Sequence, residues 1–265
     1  MAVTGLRRYK QLFENLANPG RYLFDKLQVR GKTLNFVTRP HPLKFEVPAC
    51  LYLVFKEIFM SDVYDIKNLV ERLPERPLVI DVGANVGFFD ILLLSKIGKA
   101  DIYAYEPLES NLRQLKNTSE SNILFKESVN IKPFAVTGLP VEALSLYAND
   151  TDDAQVVAST IGGFNESNVK EISVSAISLC DILQDMPRET IDLLKMDCEG
   201  SEYEIIFNTP VDLLSRINVM LIEVHDLDEK LNVKTFSSYL INIGYKVSYT
   251  PINGFCYALE ACKRI

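Results

Sequence analysis

The stretch Pro77-Leu78-Val79-Ile80-Asp81-Val82-Gly83-Ala84-Asn85-Val86-Gly87-Phe88-Phe89 limits what this chain can fold into more than any other. An apolar, β-branched run breaks at two glycines and resumes as Phe88-Phe89-Asp90-Ile91-Leu92-Leu93-Leu94. That pattern predicts a buried strand, a tight turn and a helix. Glycine tolerates the positive φ such a turn needs, and the missing Cβ lets a ligand approach the backbone. A strand, glycine turn and helix in this order open a nucleotide-type cofactor site in an α/β fold. The spacing is Asp-x-Gly-x-Asn-x-Gly, which differs from the dinucleotide fingerprint Gly-x-Gly-x-x-Gly.

The chain has 265 residues, enough for one large domain with a small N-terminal extension. Its 48% hydrophobic and 24% charged residues suit a globular core. A net charge of −7 argues against a general nucleic-acid binder, which needs clustered Lys and Arg. The five cysteines are odd in number and lack a Cys-x-x-Cys pair, so neither a disulfide framework nor a zinc site is suggested. The N-terminus develops no signal-peptide core. No stretch reaches the roughly 18 apolar residues of a membrane span. The expectation is a soluble cytoplasmic protein with no nucleic-acid partner and no membrane span, with room for a homo-oligomer.

Residues Leu6 to Leu27 carry helical spacing broken at Asn18-Pro19-Gly20, and Lys32 to Val37 alternates like a strand. Leu51 to Phe59 and Tyr64 to Leu73 read as helices. Together these make residues 1–74 a helical and strand cap, with residues 75–265 as the main domain. From Leu78 onward strands alternate with helices, which predicts a parallel sheet with crossover helices. The strands are Leu78 to Val82, Asp101 to Tyr105, Val129 to Phe134, Ile191 to Met196 and Val219 to Glu223. Tyr245 to Tyr249 and Phe255 to Glu260 follow as a terminal antiparallel hairpin at the sheet edge. Ala143 to Tyr147 and Ile172 to Ile177 are two extra strands. The polar stretch Asn149 to Asn168 between them reads either as a substrate lid or as a tolerated insertion.

Ligands of open α/β sheets sit outside the carboxyl ends of the strands. The candidate residues are therefore Asp81, Gly83, Asn85 and Gly87 on the first strand and Glu106 on the second, placed to accept hydrogen bonds from ribose hydroxyls. Lys195, Asp197 and Glu199 end the fourth strand, and Glu223 and His225 the fifth. Taken singly, these acids also suit helix caps or solvated loops. Lys195, in an apolar strand, calls for a carboxylate partner, because an unpaired buried ammonium is costly. A dinucleotide pyrophosphate favours a third glycine that is missing here. S-adenosyl-L-methionine needs a glycine turn, an acid on the ribose and carboxylates near its ammonium and sulfonium, and this sequence supplies those.

Asp81-Val-Gly-Ala-Asn-Val-Gly87, Tyr105-Glu106-Pro107 and Leu194-Lys195-Met196-Asp197-Cys198-Glu199-Gly200-Ser201-Glu202 closely resemble the FkbM family of S-adenosylmethionine-dependent methyltransferases. Ile222-Glu223-Val224-His225 fits as well, as does the lead-in from Arg39-Pro40 through Phe55-Lys56-Glu57-Ile58-Phe59 to Tyr64. The similarity runs from about residue 30 to 260. Cys198 departs mildly, where the family often has an aliphatic residue. The resemblance implies a Rossmann-like seven-stranded methyltransferase sheet and O-methylation of a hydroxyl on a sugar, glycoconjugate or natural product. It places Asp81, Gly83, Ala84, Asn85, Gly87, Glu106, Pro107 and Asp197 on the cofactor, with Phe134 and Ala135 near adenine.

Methyl transfer needs a hydroxyl aligned with the methyl carbon and relieved of its proton. His225, one of two histidines, is the favoured base, because its ordinary pKa suits proton transfer near neutrality. Asp197 or Glu199 could instead be the base or orient His225. The same three could hold a divalent cation, although convergence from two strands makes that the lesser reading. A nitrogen or carboxyl acceptor, a non-catalytic scaffold and a dinucleotide oxidoreductase remain as other readings.

Overall fold

A computed structural model describes residues 5–27, 33–149, 153–154, 158–162 and 169–264. Twelve strands are described: β1 Leu34–Val37, β2 Lys44–Val47, β3 Leu78–Val82, β4 Asp101–Tyr105, β5 Val129–Lys132, β6 Ala135–Thr137, β7 Ala143–Ala148, β8 Lys170–Ser178, β9 Ile191–Met196, β10 Ile217–His225, β11 Tyr245–Pro251 and β12 Cys256–Lys263. Seven form one sheet in the order β11-β12-β10-β9-β3-β4-β5. The inner pairs β10/β9, β9/β3, β3/β4 and β4/β5 are parallel, and β12 runs antiparallel to both of its neighbours. The strand order reverses between β3 and β9, so their carboxyl ends part there and leave a crevice. The hairpin predicted at the edge is present, with one difference. Its second strand, β12, inserts between β10 and β11, which leaves β11 as the edge.

Period-two alternation sends each strand's side chains to two faces, and each face has its own apolar core. Val79, Ile102, Ala104, Leu193 and Leu221 pack against the helices Phe88–Ile97 and Glu109–Ser121 and the N-terminal segment. Leu78, Ile80, Val82, Leu194, Met196, Met220 and Ile222 pack against Leu179–Asp185, Glu202–Asn208 and Val233–Asn242. Ser178 caps one of these helices by accepting the Asp181 amide, and Asn232 caps another through the amides of Lys234 and Thr235.

The N-terminal helices Arg7–Asn15 and Gly20–Leu27 break where Asn18-Pro19-Gly20 predicts. The stretch read as one helix over Leu51 to Phe59 divides into a 3-10 turn, an α-helix Tyr52–Lys56 and a π-turn Glu57–Ser61. Helix in the following stretch is confined to Ile66–Val70, and the strand β2 and helix Ile123–Ser128 were not anticipated. Phe36, Phe45, Phe55 and Phe59 form an aromatic cluster whose rings meet Phe88, with the Phe45 centroid 5.7 Å and the Phe59 centroid 6.0 Å away. The cap is thereby seated on the helix that leaves the glycine turn.

The predicted third strand ends at Lys132, and the chain then enters β6 of a separate sheet ordered β6-β8-β7. The two extra strands expected from the sequence are β7 and β8. Most of the predicted lid lies outside the described residues.

Candidate active site

The crevice at the parting of β3 and β9 holds a cavity. Its lining includes Gly83, Ala84, Asn85, Glu106, Pro107, Phe134, Ala135, Asp197 and Glu199, all named from sequence, and also Glu57, Tyr64, Thr160 and Glu223. Asp81, Gly87 and His225 are not in the lining.

Gly83, Gly87 and Asn85 all take positive φ, at 75°, 80° and 53°. Their glycine requirement differs from the ligand approach inferred from sequence. A Cβ on Gly83 would stand 1.9 Å from the Asp197 carbonyl oxygen. The close neighbour is thus the end of β9, crossing against the turn. A Cβ on Gly87 would stand 2.4 Å from Leu115 Cδ1 and 3.3 Å from Phe125, so Gly87 serves packing behind the turn. The turn's backbone is tied down by the amides of Gly83 and Ala84, which both donate to the Tyr105 carbonyl at 3.0 Å.

Asp81 lies beneath the turn, fully buried, with Oδ1 3.1 Å from Lys195 Nζ. Lys195 also donates to the Gly83 carbonyl at 2.8 Å. The carboxylate partner expected for Lys195 is therefore Asp81. Burial opposes the lysine's charge, but Asp81 and Asp197 outweigh it and hold its pKa above the ordinary lysine value. Asp81 ties the ends of β3 and β9 together and is not among the residues that line the cavity.

Glu106 is 4% exposed. Its carboxylate accepts the Asn85 amide at 2.9 Å and the Leu108 amide at 2.8 Å. Burial pushes its pKa up to about 7 against the pull of those hydrogen bonds. A carboxyl held by backbone amides and open to the cavity on its far side suits the hydroxyls of a ribose.

At the end of β9, Glu199 and Gly200 both take positive φ, at 51° and 102°. This kink turns Glu199 into the cavity, and the Ser159 hydroxyl donates to its carbonyl at 2.6 Å. Burial, and then the Asp197 charge, push the Glu199 carboxyl up to about 8. Asp197 Oδ1 is buried without a hydrogen-bond partner among the described residues. That is a costly position for a carboxylate unless a cation meets it.

His225 is 5% exposed and stands behind Glu199, with Nε2 3.4 Å from Glu199 and Nδ1 3.1 Å from Glu202. Burial disfavours its charge, but hydrogen bonds to Cys256 and Glu202 prevail and raise its pKa to about 12. His225, the base favoured from sequence, stands between Glu199 and Glu202 and outside the cavity lining. Ligand atoms of Asp197, Glu199 and His225 lie within 4.8 Å of one another, as do those of Glu223, His225 and Cys256. His225 belongs to both sets.

Glu223, at the end of β10, accepts the Tyr64 hydroxyl at 2.7 Å. Burial and the Asp197 charge push it up to about 8, and the bond from Tyr64 moderates this. Glu57 is likewise raised by burial, then by Asp197. Glu223 is one of the strand-end candidates named from sequence, whereas Tyr64 was given no place in the site. The available signal was Glu223 at a strand end in phase with His225.

Residues 81–247 match the methyltransferase FkbM domain. The AMB antimetabolite synthetase AmbE of Pseudomonas aeruginosa is 25% identical over 206 residues, 65% of this chain, which spans only 9% of that protein. The 31-O-demethyl-FK506 methyltransferase FkbM of Streptomyces tacrolimicus is 25% identical over 202 residues, covering 67% of this chain and 76% of the relative. Among solved structures, the METTL16 MTase domain superposes with a TM-score of 0.51 at 13% identity, over 83% of this chain and 73% of that one, and so shares the fold. The family match covers most of the sheet together with both strand ends that build the crevice. The chain belongs to the FkbM family of S-adenosylmethionine-dependent methyltransferases.

Proposed function

We propose that this protein transfers a methyl group from S-adenosyl-L-methionine to a hydroxyl of a sugar, glycoconjugate or natural product. The cavity's charge carries the reading. Its lining offers Glu57, Glu106, Asp197, Glu199 and Glu223, against Lys195 as the one cation among the described lining residues. Lys195 is already matched by Asp81, and Asp197 Oδ1 has no hydrogen-bond partner among the described residues. Such a site fits a ligand with a sulfonium and an ammonium and repels a pyrophosphate. When bound, the donor supplies an electrophilic methyl carbon and a sulfur that leaves with its bonding pair.

Glu106 would hold the ribose hydroxyls, with Gly83, Ala84 and Asn85 shaping the turn beside it. Pro107, Phe134 and Ala135 would flank the adenine. Asp197 would face the donor's cationic groups, and Glu199, fixed by His225, would extend that field toward the acceptor. Oxygen as the acceptor atom is supported by the relative named for a 31-O-demethyl substrate.

Calorimetry with S-adenosylmethionine and separately with NAD tests the donor, and heat with NAD alone would sink the reading. Donor-dependent methylation of a panel of sugars, glycolipids and polyketides tests the acceptor. Methylation confined to amines or carboxylates would exclude the hydroxyl.

A further inference from the structure

We propose that Glu223 is the catalytic base of this methyl transfer and that Tyr64, delivered by the N-terminal segment, positions its carboxylate. The proposal rests on the O-methylation reading and adds to it the residue that takes the proton.

Place comes first. Ile222 pairs with Met196 across β10 and β9, which sets Glu223 level with Asp197 at the mouth of the crevice. Both residues line the cavity. Glu199 also lines it, but its Oε2 is engaged by His225 Nε2 at 3.4 Å.

Among the described residues, Glu223 has no cationic contact at hydrogen-bond distance. Its Oε1 accepts the Tyr64 hydroxyl, and its Oε2 meets the Cys256 thiol at 3.7 Å, a weak donor. Oε2 is therefore the oxygen free to receive a substrate proton. The groups facing Glu223 are Lys195 from β9, Asp197 and Glu199 just beyond it, His225 on its own strand, Cys256 from β12 and Tyr64 from the cap. Burial and Asp197 outweigh the cations and place its pKa near about 8, a range suited to general-base work close to neutral pH.

Tyr64 is held to one task. It is 7% exposed, its ring sits edge-on to Phe89 at 5.3 Å, and the Lys195 ammonium lies 6.0 Å from the ring centroid. Burial and Glu223 raise the phenol's pKa well above its ordinary value, so it stays a donor.

In the step itself, Glu223 takes the acceptor's O–H proton and becomes a neutral carboxylic acid. The oxygen pair so released forms the C–O bond as the C–S pair leaves on sulfur. Glu223 later returns the proton to water.

The test uses full-length protein labelled with carboxyl-carbon-13 glutamate, followed by NMR across pH, with Glu223→Gln identifying the signal. The Glu223 carboxyl should titrate well above the ordinary carboxylate range. Its titration should sit about half a pH unit or more lower with S-adenosylmethionine than with S-adenosylhomocysteine, which lacks the sulfonium charge. In Tyr64→Phe it should move to higher pH.

With the best hydroxyl acceptor of the panel, Glu223→Gln should lower kcat by about 10²–10⁴-fold, with donor affinity weakened only by the about threefold that the reciprocal coupling to the sulfonium implies. Tyr64→Phe should move the acidic limb of kcat/KM upward, a change that lost packing alone would not produce. A titration indifferent to the sulfonium charge overturns the proposal, as does Glu223→Gln turnover within about threefold of wild type. Failure of both adenosyl ligands to bind would instead overturn the donor assignment. If Glu223→Gln does not fold, the Tyr64→Phe pH profile decides.

Discussion

Gly83 meets two demands at one position, a left-handed φ and a carbonyl oxygen where its Cβ would go. Gly83→Ala should therefore cost about 3 kcal/mol or more, read from urea unfolding, with loss of donor binding in what remains folded. Glu106→Gln removes the charge and turns an amide NH2 toward one of the two backbone amides that the carboxylate accepts. Donor affinity by calorimetry should fall about 10–100-fold, the range of a charge-assisted hydrogen bond, and stability by about 1–3 kcal/mol. His225→Asn leaves Glu202 buried without its counter-ion and should cost about 3–5 kcal/mol. At this scale the letters identified the glycines, Glu106 and the Lys195 pairing requirement. They did not reveal that Asp81 and His225 lie behind the cavity wall. A residue's type at a strand end is visible in sequence, whereas the side of the packed layer it faces depends on its neighbours.

Among the elements, the cap is the least regular and the most dependent on tertiary contacts. Its helices are short, one passes through 3-10 and π geometry, and its β1–β2 pair has four residues in each strand. Short helices and lone two-stranded pairs are marginal by themselves. The aromatic cluster around Phe55 supplies what local structure lacks. Phe55→Ala should cost about 3–5 kcal/mol by chemical denaturation. It should also weaken catalysis more than donor affinity, because the same segment carries Glu57 and Tyr64 to the cavity. The main-sheet strands were legible because buried parallel strands are continuous apolar runs. The cap boundaries were not, because a tertiary contact decides where each short element stops. The placement of β12 between β10 and β11 was hidden for the same reason, since pairing partners are chosen across the fold.

For the whole molecule, the crowded carboxyls set a pH dependence. Glu106 titrates near about 7, and Glu199 and Glu223 near about 8, against an ordinary value of 4.5. Between those values the folded protein holds protons that the unfolded chain has released, so stability falls as pH rises. His225, raised from 6.5 to about 12, adds to the same slope above its unfolded value. The ligand-free protein should melt at a higher temperature near pH 5 than near pH 8, by an amount on the order of a few kcal/mol in all. Glu199→Gln should flatten the slope, and saturating S-adenosylmethionine should recover stability at the alkaline end. A melting temperature that rises over this interval would contradict the crowding described for the site.

The sequence by itself determined the sheet, the glycine turn, the acid at the end of the second strand and the family. Each of these rests on local periodicity or on residues close together in the chain. Only the tertiary structure decided which acids face the ligand and which are spent on a buried cation. Tyr64 reaches Glu223 across 159 residues and Lys195 reaches Gly83 across 112. The turn that first pointed to a cofactor is shaped as much by the carbonyl of Asp197 as by any ligand. Burial and charge pairing are properties of the packed whole, and they divide a row of similar acids between the lining of a cavity and a buried ion pair beneath it.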